Sequence, residues 1–209
     1  MFIAPADTTR GEDEWRPFVE AHPFGHLVAP GGPARTLPVV VPTQFVLEGS
    51  TVWLHLVRAN PIFGALSENS QVLLSVADDW AFIPSAWKAV DGEDPALGIP
   101  TTYYGAVQLA GRATVHDERT SPGSVAAILR RQLAVFQPGV VVDDPGEAHA
   151  AKLLGILGIE IRLGAVSAKF KYGGNVDEAH RRAVVDRLRA RGGPADRAAA
   201  QHVLRRLEP

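Results

Sequence analysis

The feature that most constrains the fold is a series of short strand patterns in the first half of the chain. The predicted strands are residues 25–29, 37–47, 51–57, 71–76, 81–83 and 102–116. Turn signals such as Gly31-Gly32-Pro33 and Glu48-Gly49-Ser50 separate several of them. Strands that follow one another so closely, with tight turns, favour a barrel over a parallel sheet.

Helical patterns flank this strand-rich block, so the predicted fold is mainly β with flanking helices (α+β). The N-terminal helix is predicted from four residues at the spacing of one helix face: Trp15, Phe18, Val19 and His22. Ser121-Pro122 starts a second amphipathic helix. A short helix is predicted at 148–154, and a final strand follows at 158–172.

The C-terminal segment, residues 176–209, is arginine-rich and helical in pattern, and it follows a Gly173-Gly174 hinge. One interpretation makes it a surface for nucleic acid or another anionic partner. The favoured interpretation is an amphipathic extension that packs on its own subunit or on a partner subunit, because acidic residues are interspersed among the arginines. The predicted domains are therefore residues 1–175 and a helical extension at 176–209.

Composition excludes several kinds of site. The 209-residue chain has no cysteine, which rules out disulfides, zinc–thiolate sites and thiol nucleophiles. Its formal charge of −2 gives no overall electrostatic footprint for nucleic acid. No His-Glu-x-x-His spacing occurs, and no catalytic residue or metal ligand is predicted. Because no signal peptide or membrane-length apolar run is present, we expect a cytoplasmic protein.

The stretch WLHLVRANPIFGAL, residues 53–66, is predicted to change from strand to helix. Asn60-Pro61 has the pattern of an N-cap followed by proline in the first helical turn. Arg58 lies just ahead of it and offers a planar fork of donors suited to phosphate or carboxylate. The alternative is that Asn60 only caps its helix and Arg58 is a solvated surface residue.

Four short runs carry a resemblance to a known family. They are His55 to Pro61, Phe82 to Trp87, Ile99 to Tyr104, and Lys169-Phe170-Lys171. With these runs the chain resembles the PaiB-like family of FMN-binding negative transcriptional regulators from Pro5 to about Asn175. Members of that family have the split β-barrel of the pyridoxamine phosphate oxidase type. Two stretches depart from the family pattern, Asp78-Asp79-Trp80 and Thr102-Tyr103.

The resemblance implies FMN as the cofactor and a set of residues that hold it. Its phosphate would be bound at Arg58, Ala59 and Asn60, together with Arg35, Thr36 and Leu37, where Arg35 and Thr36 are expected at the start of the neighbouring strand. The candidates for the ring and the ribityl chain are Ser85, Trp87, Thr101, Thr102 and Lys169. Lys169 alternates with Phe170, so a half-buried strand residue is the alternative for it.

The resemblance also implies a homodimer with the flavin site at the subunit interface. It favours a regulatory or flavin-sensing protein. A flavin-dependent oxidoreductase acting on a small molecule is the alternative, and a scaffold that has lost flavin binding is a second one. No sequence-specific DNA binding by the isolated protein is expected, because the chain is slightly acidic and has no known DNA-binding motif.

Overall fold

A computed structural model describes residues 1–89, 94–140 and 151–207, and seven strands of this part of the chain form one sheet. The strands are β1 (Phe24–Ala29), β2 (Val39–Gln44), β3 (Val46–Glu48), β4 (Thr51–Val57), β5 (Gln71–Ile83), β6 (Thr101–His116) and β7 (Ile156–Lys171). Their order in the sheet is β2-β1-β5-β6-β7-β4-β3. The β1–β2, β1–β5, β3–β4 and β4–β7 pairs are antiparallel.

Helices precede, interrupt and follow the strands along the chain. They are α1 (Glu12–Ala21), α2 (Ile62–Glu68), α3 (Ser124–Phe136), α4 (Glu178–Arg191) and α5 (Asp196–Arg205). Short 3-10 turns occur at Pro5–Asp7, Ser85–Trp87 and Pro95–Leu97. Residues 151–153 of the predicted helix 148–154 are helical, and the rest of that prediction lies partly outside the described residues. None of the described helices has the length and apolar composition needed to span a bilayer.

Two strand predictions differ from the structure. The predicted strand 37–47 is two strands, β2 and β3, separated at Phe45. Pro42 is tolerated in β2 because this strand lies at the edge of the sheet, where a missing N–H donor costs little. The predicted strands 71–76 and 81–83 are one continuous strand, β5. Asp78 and Asp79 interrupt the hydrophobic pattern of β5 but do not end the strand. Asp79 has a φ of 53°, in the left-handed region.

The chain forms two compact units, and each of the three long strands contributes residues to both. The first unit comprises residues 1–18, 77–107 and 167–209, and the second comprises residues 19–76 and 108–166. In the second unit, Leu54 of β4 is paired with Ile159 of β7, and both side chains are fully buried. Val125 and Ile128 of α3 are buried in the same unit.

The C-terminal helices belong to the compact first unit. Their buried residues include Val184, Leu188 and Val203. The His202 ring is stacked on the Tyr172 ring, with centroids 4.5 Å apart, and its Nε2 lies 2.8 Å from Asp79 Oδ2. The division into a domain 1–175 and an extension 176–209 stays a prediction, but the extension packs on residues of the predicted first domain.

Candidate functional site

The predicted site residues fall into two groups, one in each unit. Arg35, Thr36, Leu37, Arg58, Ala59 and Asn60 belong to the second unit, whereas Ser85, Trp87, Thr101, Thr102 and Lys169 belong to the first.

At the strand-to-helix junction of the second unit, α2 begins at Ile62, so its N-cap is Pro61 and not the predicted Asn60. Asn60 Oδ1 accepts a hydrogen bond from the Ile62 N–H at 3.0 Å, and Ile62 is the first residue of α2. The helix begins one residue after Pro61, whose φ of −61° suits the entry to a helical turn. Asn60 therefore satisfies one of the backbone donors that the start of a helix leaves unpaired.

Arg58 is held by a carboxylate that the sequence analysis did not connect with it. Its Nη1 and Nη2 donate to the two carboxylate oxygens of Asp117 at 2.6 and 2.7 Å. Its Nε donates to the Leu154 carbonyl at 2.8 Å. These bonds to Arg58, followed by one from the Arg119 N–H, hold the pKa of Asp117 well below its usual range. The three bonds use three of the five guanidinium donors.

Arg35 forms a second arginine–carboxylate pair, with the last residue of α2. Its Nε and Nη2 donate to the Glu68 carboxylate at 2.9 and 2.8 Å, and the Gly32 N–H donates to the same group at 2.7 Å. The hydrogen bonds from Arg35 and then from Gly32 lower the pKa of Glu68. A Cβ at Gly31 would lie 2.1 Å from Arg35 Cδ, so this side chain needs a glycine beneath it.

Arg35 and Arg58 both belong to segments next to α2. Arg58 precedes α2 in the chain, while Arg35 reaches its first turn, where a Cβ at Gly64 would lie 3.2 Å from Arg35 Nη2. Thr36, Leu37 and Ala59 are exposed. The expectation that Thr36 opens a strand is wrong, because residues 35–37 precede β2, which starts at Val39.

In the first unit, two of the predicted residues already have side-chain partners. Lys169 is buried, with its Nζ 3.6 Å from Asp7 Oδ2 and donating to the Phe2 carbonyl at 3.2 Å. The Trp87 ring has the Arg191 guanidinium 4.8 Å from its centroid. Ser85 and Trp87 lie in one 3-10 turn. Thr102 is half-buried on β6.

A cavity of about 220 Å³ lies beside Thr101, and most of its lining was missed by the sequence analysis. It is lined by Lys88, Ile99, Pro100, Thr101, Tyr103, Lys171, Gly173 and Asn175. Lys171 Nζ donates to Thr101 Oγ1 at 2.6 Å. The sequence did offer a signal, since Lys169 and Lys171 are two residues apart on a strand and Lys88 follows the predicted Trp87.

Two groups that line the cavity, Lys88 and Tyr103, have shifted pKa values. Burial, and then the charge of Lys171, lower the pKa of Lys88. Tyr103 is 1% exposed, and its hydroxyl has no hydrogen-bond partner among residues 1–89, 94–140 and 151–207. Burial raises the pKa of that hydroxyl to about 12, so Tyr103 stays protonated at neutral pH and can donate a hydrogen bond.

Comparison with known proteins supports the fold and a family. Residues 1–165 match the family described as "Putative FMN-binding domain". No curated protein sequence matches the chain. Among solved structures, the flavocytochrome Anf3 from Azotobacter vinelandii is similar with a TM-score of 0.58 and 23% identity, over 84% of this chain and 74% of that one.

Two further solved structures have the same fold. The FAD and heme binding protein from Mycobacterium smegmatis has a TM-score of 0.57 and 18% identity, over 88% of this chain and 80% of that one. The conserved hypothetical protein Rv2991 from Mycobacterium tuberculosis has a TM-score of 0.56 and 13% identity, over 85% and 95%. The predicted split-barrel fold with a C-terminal helical part is confirmed by these matches.

Proposed function

This chain belongs to the family described as "Putative FMN-binding domain", and on that premise we propose that it is a PaiB-like regulatory protein in which FMN acts as ligand or sensor. FMN, the predicted cofactor, is the flavin that this family's description gives. The observation that carries the proposal is the pair of arginines, Arg35 and Arg58, in the segments next to one short helix within the matched region.

The residues at α2 fit a phosphate group. Phosphate is held best by charge-assisted hydrogen bonds from planar guanidinium groups. Arg58 uses three of its five N–H donors on Asp117 and Leu154, so two N–H groups remain to donate to a ligand. The two carboxylates orient the arginines, and they also offset their charge. Asp117 and Glu68 are therefore both supports and competitors for the phosphate.

The roles of the other predicted residues are also proposals. Asn60, Ala59, Thr36 and Leu37 would complete the phosphate site from the backbone and the Asn60 side chain. Ser85, Trp87, Thr101 and Thr102 are proposed to contact the ring and the ribityl chain. For Lys169, the bonds to Asp7 and Phe2 support the structural alternative, because its ammonium is already satisfied in a buried position.

Bound FMN would supply electron-transfer chemistry, while the protein supplies binding, position and electrostatics. If the protein is a regulator, its bound FMN should not catalyse the oxidation of NADH or NADPH. Steady-state oxidation of NADH and NADPH, with FMN added to the purified full chain, tests it. A rate no higher than that of free FMN supports a ligand or sensor role. Multiple turnovers that depend on the protein would instead establish the oxidoreductase alternative.

We further propose that the protein is a homodimer. We also propose that any regulatory effect is exerted through flavin or a partner protein and not through direct recognition of DNA. Arginines of the C-terminal helices are paired within the chain, for example Arg182 with Glu178 at 2.6 Å and Arg191 with Asp196 at 2.5 Å. Such pairs offset the positive charge that phosphate neutralisation on DNA requires. Fluorescence anisotropy at physiological salt should show no sequence-discriminating binding, and nanomolar discrimination would overturn this view. Light scattering tests the dimer.

A further inference from the structure

The chain has only four lysines, and two of them line the 220 Å³ cavity of the first unit. Lys88 and Lys171 are both half-buried there. Across the described ranges, which omit residues 90–93 and 141–150, neither ammonium has a carboxylate within ion-pair distance. Two ammonium groups in a partly buried cavity repel each other, and an anion bound between them would offset that repulsion.

Two hydroxyl groups add to the donors of the cavity. Thr101 Oγ1 accepts from Lys171 Nζ at 2.6 Å, which leaves its own O–H free to donate. The Tyr103 hydroxyl is buried, and Gly173, another lining residue, lies against it. A Cβ at Gly173 would lie 2.3 Å from that oxygen, and the φ of this residue is +76°, so both space and backbone demand glycine.

A buried polar group without a partner costs free energy, and natural structures rarely keep one without a role. A ligand oxygen would satisfy the Tyr103 hydroxyl and lie between the two ammonium groups. A phosphate monoester carries a charge of about −1.5 to −2 at neutral pH, which matches two lysines better than a single carboxylate does. The exposed Ile99 and Pro100 on the cavity rim offer apolar surface to an attached organic group.

We propose that this cavity is a phosphate-monoester site, in which Lys88, Lys171, Thr101 and Tyr103 donate to the phosphate oxygens. The phosphate can belong to FMN or to a second phosphorylated small molecule. The proposal does not depend on the arginines at α2, because all of its residues lie in the first unit.

Calorimetric titration of the full chain with inorganic phosphate tests the site. Lys171→Met and Lys88→Met keep the apolar stem but remove the charge, and each should weaken phosphate binding roughly ten- to a hundredfold. Lys152→Met is the matched control, because Lys152 is exposed and belongs to the second unit. It should bind phosphate like the unmodified protein.

Tyr103→Phe gives a signature that a purely structural residue would not. Loss of an unpartnered buried hydroxyl should raise Tm in phosphate-free buffer, while the increase in Tm on adding phosphate should shrink. Absence of phosphate binding by the unmodified protein would overturn the proposal. So would binding that survives Lys171→Met and Lys88→Met but is lost in Arg58→Ala, since that result would place the phosphate at α2 alone.

Flavin titrations distinguish the two sources of phosphate. If the site holds the phosphate of FMN, the two lysine variants should lose FMN affinity and keep riboflavin affinity. If it holds another ligand, FMN affinity should be unchanged, and inorganic phosphate should still bind to the FMN-saturated protein. Either result supports the site, whereas equal losses for FMN and riboflavin without any loss of phosphate affinity would contradict it.

Discussion

Arg58 and Asp117 form a two-point ion pair, with Nη1 to Oδ2 at 2.6 Å and Nη2 to Oδ1 at 2.7 Å, although 59 residues separate them in the sequence. The pair fixes the direction of the Arg58 guanidinium and offsets its charge. About a quarter of each side chain is exposed to solvent. A phosphate that binds here has to share Arg58 with Asp117, and this competition can be measured.

Arg58→Ala should weaken FMN binding by roughly ten- to a hundredfold, because it removes a charge-assisted bond worth about 1.5–3 kcal/mol. Riboflavin lacks the phosphate and should bind nearly as well to the variant as to the unmodified protein. Fluorescence titration with both flavins measures the difference. Arg130→Ala is a suitable control, since Arg130 is an exposed arginine of α3. Equal losses for the two flavins would show that Arg58 has a structural role only.

Asp117→Asn should tighten FMN binding, because the amide no longer competes as an anion for Arg58. Exposed ion pairs contribute about 0.2–1 kcal/mol, so a gain of up to roughly fivefold is expected. Glu48→Gln is the control, because it removes another exposed pair of the same unit, with Arg131 at 3.0 Å. Weaker FMN binding by Asp117→Asn would show that orienting Arg58 outweighs the competition.

The dependence of Tm on pH should also reveal the contribution of the Arg58–Asp117 pair to stability. The pKa of Asp117 is lowered in the folded protein, chiefly by its hydrogen bonds from Arg58. A carboxylate with a lowered pKa contributes stability above its unfolded pKa of about 3.9, and that contribution is lost as the pH falls through the folded value. Asp117→Asn should thus have a lower Tm than the unmodified protein at pH 7, with the gap closing below about pH 4. A gap that stays constant down to about pH 2 would contradict this.

His202→Ala should destabilise the first unit by about 1–3 kcal/mol, because it removes a buried hydrogen-bonding side chain. Arg205 Nη2 donates to His202 Nδ1 at 2.8 Å, so the Nε2–H donates to Asp79 Oδ2 at 2.8 Å. The imidazole also stacks on Tyr172. Urea unfolding measures the loss, and His26→Ala, at an exposed position of β1, is the control. Equal midpoints for the two variants would show that the C-terminal helices do not depend on this contact.

Local patterns in the sequence predicted the elements, whereas the site depends on contacts between distant residues. The strand Thr51–Val57 agrees with its prediction, because alternation and the turn at Gly49 are both local signals. The hydrogen bond from the Ile62 N–H to the Asn60 side chain is also local. No local pattern joins Arg58 to Asp117 or Lys88 to Lys171, since a charged residue can pair with many others until the fold places it.

The stretches that depart from the family pattern also make contacts that the local sequence could not predict. Asp79 belongs to one of the two stretches that depart from the pattern. In the structure its carboxylate binds His202, and its carbonyl accepts from the Tyr172 hydroxyl at 3.2 Å. The C-terminal segment lies outside the resemblance, so nothing in the sequence pattern connected it with Asp79. Only the folded chain shows that this departure anchors α5.

Titration of the purified full chain with FMN, followed by absorbance between 350 and 500 nm after removal of free flavin, tests the central claim most directly. The family match and the two arginines at α2 predict that FMN stays with the protein in a stoichiometric, saturable complex, and that it binds more tightly than riboflavin. A protein that remains colourless, or that retains FMN and riboflavin equally, would contradict the proposal of an FMN site that recognises the phosphate.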